Sequence, residues 1–148
     1  MRAGLRSAGA ARSALALGAL TVAVLIAGCG GVEAPDLFIV TRSGSTPQAR
    51  LTLLVNEEGG VTCNGRAMSQ KLSDPQIVKA REIQEELLKP SASRLSLAPR
   101  PGSVLSYYVR DESGNVRFSD NSAGQPAVFH KLQLFVLQSA QDVCRLAG

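Results

Sequence analysis

Any chemistry in this chain has to come from very few side chains. It carries one histidine, His130, three cysteines at positions 29, 63 and 144, and no tryptophan. A zinc site needs three or four N, S or O ligands with short inner spacings such as CxxC or HExxH, and neither spacing occurs. No serine sits in a GxSxG elbow, so a nucleophilic triad would have to draft the single histidine. Glu57-Glu58-Gly59-Gly60 lacks the lysine and hydroxyl that complete a phosphate loop, and its paired glycines suit a tight turn instead. The adjacent acids Glu85/Glu86 and Asp111/Glu112 fall on a polar helix face and in a turn, where solvation accounts for them. The expectation is a chain with no catalytic residue, no metal and no cofactor.

The cysteines divide by position. Arg2, Arg6 and Arg12 precede an uncharged apolar run from Ala14 to Ala27. That pattern describes an export signal, and the run is shorter than the roughly 18–20 residues of a spanning helix. Leu25-Ile26-Ala27-Gly28-Cys29 resembles a lipobox, with small residues directly before a cysteine. The resemblance implies cleavage between Gly28 and Cys29 and a diacylglyceryl thioether on Cys29. Two acyl chains hold a protein on a membrane stably where one is marginal. The chain also resembles actinobacterial membrane lipoproteins, which implies a lipid-anchored place on the extracytoplasmic face of the cell membrane. The expected organisation is a signal over 1–28, a lipidated tether over 29–35 and one globular domain over 36–148.

That division changes what the charge means. The whole chain has 16 basic and 12 acidic residues and a sequence pI near 9.3. Without the three signal arginines, 13 basic residues face 12 acidic ones, a net of +1. Little basic character is left to favour nucleic acid as a partner. Cys63 and Cys144 then remain as an even pair in a compartment that permits disulfides, and they are expected to bridge.

The elements that position these residues follow from periodicity. Leu37–Thr41 is dense in β-branched and aromatic residues and reads as a strand, ended by turn formers from Arg42 to Pro47. Arg50–Asn56 alternates apolar and polar residues, with Leu54 as one apolar exception. Glu57–Gly60 turns the chain into Val61–Asn64, and Gly65–Leu72 reads as an irregular connection. Ser73 with Gln76 caps a helix whose Ile77, Ala80, Ile83, Leu87 and Leu88 share one face, with Pro90 as its stop. A loop over 90–102 follows, in which Leu95 and Leu97 are expected to touch the core. Ser103–Arg110 and Val116–Asp120 form a hairpin about a turn at 111–115. The last helix runs to about Cys144, with Val128, Leu132, Phe135, Val136, Ala140 and Val143 as its core stripe. The fold class is α+β: an antiparallel sheet of about five strands with two amphipathic helices on one face, in the order β-β-β-α-β-β-α.

His130 projects about 150° from the centre of that last stripe, on the helical period of 3.6 residues. Leu134 and Leu137 lie beside it, and they form a partner-contact patch unless the 90–102 loop covers them.

Two fragments carry a further resemblance. Arg42-Ser43-Gly44 after the first strand, and Tyr107-Tyr108-Val109 … Gly114 … Phe118-Ser119-Asp120 … Pro126 ahead of a helix, are similar to the emfourin-like proteins, small bacterial inhibitors of thermolysin-type metallopeptidases. The motifs are short and made of common residues, and the lipid anchor, cysteine pair and proline loop depart from the pattern. The resemblance implies a protein partner, a secreted peptidase or an envelope protein. The functional expectation is a non-catalytic protein-binding module, with inhibition as its specific form. The alternative is a carrier that holds a small molecule or lipid in a pocket between sheet and helices.

Overall fold

The computed structural model describes residues 34–146, so the expected signal and the Gly28/Cys29 site lie outside the described residues. One antiparallel sheet of six strands runs in the order β4-β3-β2-β1-β5-β6. Its strands are β1 (Asp36–Gly44), β2 (Leu51–Asn56), β3 (Val61–Cys63), β4 (Arg66–Ala67), β5 (Leu105–Asp111) and β6 (Gly114–Ser119). Helix α1 (Asp74–Ala92) joins β4 to β5, and α2 (Ala127–Asp142) follows β6. Both helices lie on one face of the sheet, as the α+β expectation requires.

Strand alternation decides what they cover. Phe38 and Val40 of β1, Leu51, Leu53 and Val55 of β2, Tyr107 and Val109 of β5, and Val116 and Phe118 of β6 all point inward and are buried. Leu37 is buried beside Phe38 because a bulge at the start of β1 breaks the alternation there. From the helix layer, Ala80, Ile83 and Leu87 of α1 and Val128, Phe129, Leu132, Phe135 and Val136 of α2 meet this surface. Phe118 lies between two rings, stacked at 5.0 Å on Tyr107 and at 4.1 Å on Phe129. Phe135 meets Phe38 edge-on at 5.9 Å.

Several boundaries differ from the sequence expectation. Arg42-Ser43-Gly44, expected as a turn, continues β1 and pairs with Tyr107, Ser106 and Leu105. A Cβ on Gly44 would come within 2.4 Å of the Val104 carbonyl oxygen, so this position needs glycine for close approach rather than for a turn. The connection after Asn64 is not irregular: Cys63 pairs with Arg66 across a two-residue turn, which makes β4 the sixth strand. Asn64 and Gly65 both take positive φ there, 51° and 80°, the conformation that an Asn-Gly dipeptide favours in tight hairpins. The β5–β6 turn is likewise tighter, with Asp111 paired to Gly114.

Pro90 does not stop α1, which runs two residues beyond it. Proline removes one donor and crowds the preceding turn, but the residues after it remain free to take helical angles. The stop is at Arg94, whose φ is 53°. There the Leu95 N–H donates to the Pro90 carbonyl at 3.0 Å and the Arg94 N–H to the Ser91 carbonyl at 2.9 Å. This is the Schellman pattern, with arginine where glycine is commonest. Leu95 then packs on the core, as does Leu97.

Cys63 and Cys144 form a disulfide with Cα atoms 5.8 Å apart, which ties β3 to the residues just past α2 across 81 positions of sequence. Loop closure of that length is worth about 4.5 kcal/mol in the chain-entropy model. Two measurements follow from these ends. Replacing both cysteines by alanine should lower the free energy of urea unfolding by about 3–4.5 kcal/mol, and an unchanged unfolding midpoint would contradict the role given to the bridge. Arg94→Gly should raise the same free energy by about 1 kcal/mol, because it removes the left-handed penalty of a side chain at that φ.

Candidate functional site

The pleat that buries one set of strand residues leaves a second set on the opposite face, and neither helix packs there. Paired residues build two transverse rows across it. One row holds Thr62, Leu54, Ile39 and Arg110, joined by the pairs Leu54–Thr62, Ile39–Leu54 and Ile39–Arg110. The other holds Thr52, Thr41, Tyr108 and Arg117. Ile39, Leu54 and Tyr108 are half-buried by their neighbours, while the threonines at 41 and 52 and both arginines are exposed. The Arg117 guanidinium carbon sits 4.5 Å from the centre of the Tyr108 ring, a cation–π contact between neighbouring strands. Neither row contains a carboxylate.

Two shallow depressions mark this face. One, of about 310 Å³, lies among Ile39, Leu54, Thr62, Tyr108 and Arg110. The other, of about 290 Å³, lies among Ser43, Ser106, Arg117 and the loop residues Leu97 and Pro99. They share Thr41 and Tyr108, so together they form one trough across the sheet. Its far wall is held by the loop: the Leu97 N–H donates to the Arg117 carbonyl at 2.8 Å, and the Arg117 N–H to the Leu95 carbonyl at 2.9 Å. Asn121 and Asp120 fix the rest of that loop. Asn121 Oδ1 accepts from the Arg100 N–H at 3.0 Å, and Asp120 accepts from the Ser103 hydroxyl at 2.8 Å and the Val104 N–H at 3.1 Å.

The residues singled out in the sequence are elsewhere. His130 is exposed on α2, and Leu134 and Leu137 follow it on the same stripe, 55% and 46% exposed. The 90–102 loop does not cover them; its hydrogen bonds run to β6 and to Asn121. Beside the stripe, Lys131 pairs with Glu86 of α1. Leu137 also lines a small hollow of about 180 Å³ between α2 and the end of β1, together with Arg42 and Leu146. Asp111, expected as a solvated turn acid, is structural: it accepts from the Ser91 hydroxyl at 2.5 Å and from the Ser113 and Gly114 N–H groups at 2.8 and 3.0 Å. Burial pushes the Tyr107 phenol above its ordinary value, opposed by the charge of Arg42 and reinforced by Asp120. Among the described residues no three His, Cys, Asp or Glu side chains converge to hold a metal.

The open face was legible in part. Adjacent residues of a strand point to opposite sides, so Tyr107-Tyr108 necessarily puts one aromatic ring on each face. Leu54, the exception to an otherwise alternating strand, is the second sign. Comparison with protein-family models, curated proteins and solved structures finds no match to this chain.

Proposed function

We propose that this chain is an extracytoplasmic lipoprotein, anchored through a diacylglyceryl thioether on Cys29, whose globular domain binds a protein partner and does not catalyse. The observation that supports a binding role is the uncovered sheet face. Ile39, Leu54 and Tyr108 form an apolar strip there, framed by threonines and by two arginines with no acid among them. A sheet with one covered face ordinarily carries polar side chains on the other, so an apolar strip in that place asks for a partner. An envelope protein or a secreted peptidase fits, and the resemblance to emfourin-like inhibitors favours the peptidase. Such a partner would meet Tyr108 where the two depressions join and Arg117 at the trough's far wall, an aromatic ring and a guanidinium being among the side chains most often decisive in interfaces.

The carrier alternative needs room between sheet and helices. That space is filled by packed rings, and the hollow at its edge is about 180 Å³, below the roughly 300–1,000 Å³ of sites that enclose a drug-sized ligand, so it admits a short group and not a whole lipid. The protein partner is therefore preferred.

Two experiments test the proposal. Cells fed a clickable palmitate analogue should label the protein at Cys29, and Cys29→Ser should lose the label and leave the membrane fraction. A label that survives the substitution excludes the anchor. For the partner, the exported domain should slow a secreted metallopeptidase or hold an envelope protein in a stable complex. Leu54→Lys with Tyr108→Ala should weaken that complex at least about tenfold, as loss of a central hot spot does, whereas Leu134→Gln with Leu137→Gln should leave it intact. The reverse ranking would move the contact to α2.

A further inference from the structure

Arg42 is the one arginine of β1, and it lies on the helix side of the sheet, with 7% of its surface exposed. Its Nε–H donates to the Ala49 carbonyl at 2.9 Å and its Nη2–H to the Gln48 carbonyl at 3.1 Å. These bonds hold the short turn Pro47–Ala49 against the strand and fix the plane of the guanidinium. Five N–H donors are available on such a group, so donors remain after both bonds. A guanidinium keeps its charge when buried, and two carbonyl dipoles do not neutralise it. Among the described residues, the ion pairs are Lys71–Glu58, Lys79–Glu82 and Lys131–Glu86, and none reaches Arg42. Among the described residues, no Arg42 nitrogen is both sealed from solvent and without a partner, so the donors that Ala49 and Gln48 leave over stand open at the surface.

The hollow of about 180 Å³ opens beside it. Leu105, Leu137 and Leu146 supply its aliphatic walls, with Thr46, Gln48 and Gln141 as polar members. Among the described residues no acidic side chain lines it. A cation set among aliphatic walls matches an anion that carries an aliphatic group. Carboxylate is the anion whose two oxygens fit the guanidinium fork. We infer that this hollow is a carboxylate-binding site, in which Arg42 takes the carboxylate of a ligand whose aliphatic part rests against Leu105, Leu137 and Leu146. Two sources supply that chemistry, a free aliphatic monocarboxylic acid and the apolar C-terminal residue of a peptide. The site lies on the helix side of the sheet, away from the open face, and does not depend on what that face binds.

The test reads the guanidinium directly. In the full chain, held in detergent, the nitrogen-detected signal of the Arg42 Nε–H is assigned by its loss in Arg42→Lys and followed during titration with hexanoate and with N-acetylleucine. Hexanol and N-acetylleucine amide serve as neutral controls. The acids should move the signal saturably and the neutral compounds should not. Tighter binding of N-acetylleucine identifies a peptide terminus as the natural ligand, and tighter binding of hexanoate a free acid. Leu137 is half exposed, so Leu137→Trp is tolerated by the fold; it fills the hollow and should weaken binding about tenfold or more, leaving at most about a tenth of the original affinity. The inference is overturned if neither acid moves the Arg42 signal at millimolar concentration, if the neutral compounds move it equally, or if Leu137→Trp responds as the parent does.

Discussion

A six-stranded sheet with a single covering layer forces every strand residue to one of two fates. Side chains on one side of the pleat meet α1 and α2 and are sealed among aromatic rings, and those on the other side meet no helix among the described residues, only the loop at Leu97 and Pro99. The sandwiching of Phe118 between Tyr107 and Phe129 is the centre of the sealed side. Since β5, β6 and α2 each supply one ring, the last hairpin and the last helix cannot shift independently. The trough on the bare side inherits its shape from this, because Tyr108 and Arg117 are the immediate neighbours of Tyr107 and Phe118.

The margins of the sheet are held by more specific bonds. On the β3 side, the disulfide ties a three-residue strand to the far end of α2. So short a strand has little pairing of its own, and the covalent link supplies what the ladder lacks. On the β6 side, the loop that follows α1 lies along the edge strand and satisfies the Arg117 backbone groups. An edge strand covered in this way offers less exposed backbone for pairing with another chain. Asp111 ties the end of α1 to the β5–β6 turn through Ser91, so one carboxylate shapes the turn and anchors the helix. Polar groups here do local structural work, and the acids that looked available for chemistry are partly spent on it.

The remaining charges sort by side. Acids cluster on α1 and in the turns, whereas the rows of the open face carry arginine and threonine. Arg42 stands apart from both, buried against carbonyl groups at the end of β1. A net charge near neutral for the domain therefore hides an uneven distribution, and it is the distribution that a partner or ligand would meet.

What could be read without the fold was whatever depends on neighbours in sequence. The α+β class, the two helical core stripes, the capping of α1 by Ser73 and Gln76 and the pairing of Cys63 with Cys144 were all open to a reading from local periodicity or parity. The β4 hairpin was also written locally, in Asn64-Gly65, but two residues of strand are too few to show a period. Other features belong to the tertiary structure. Arg42-Ser43-Gly44 look like a turn in sequence and become strand because β5 arrives to pair with them. Pro90 looks like a stop, yet α1 ends where Arg94 turns left-handed and Leu95 finds the core. Above all, the pattern of β1, β2 and β5 shows that each strand has two faces, while only the placement of both helices on the same side decides which face is left bare. Coverage depends on where distant segments pack, and no local pattern encodes it.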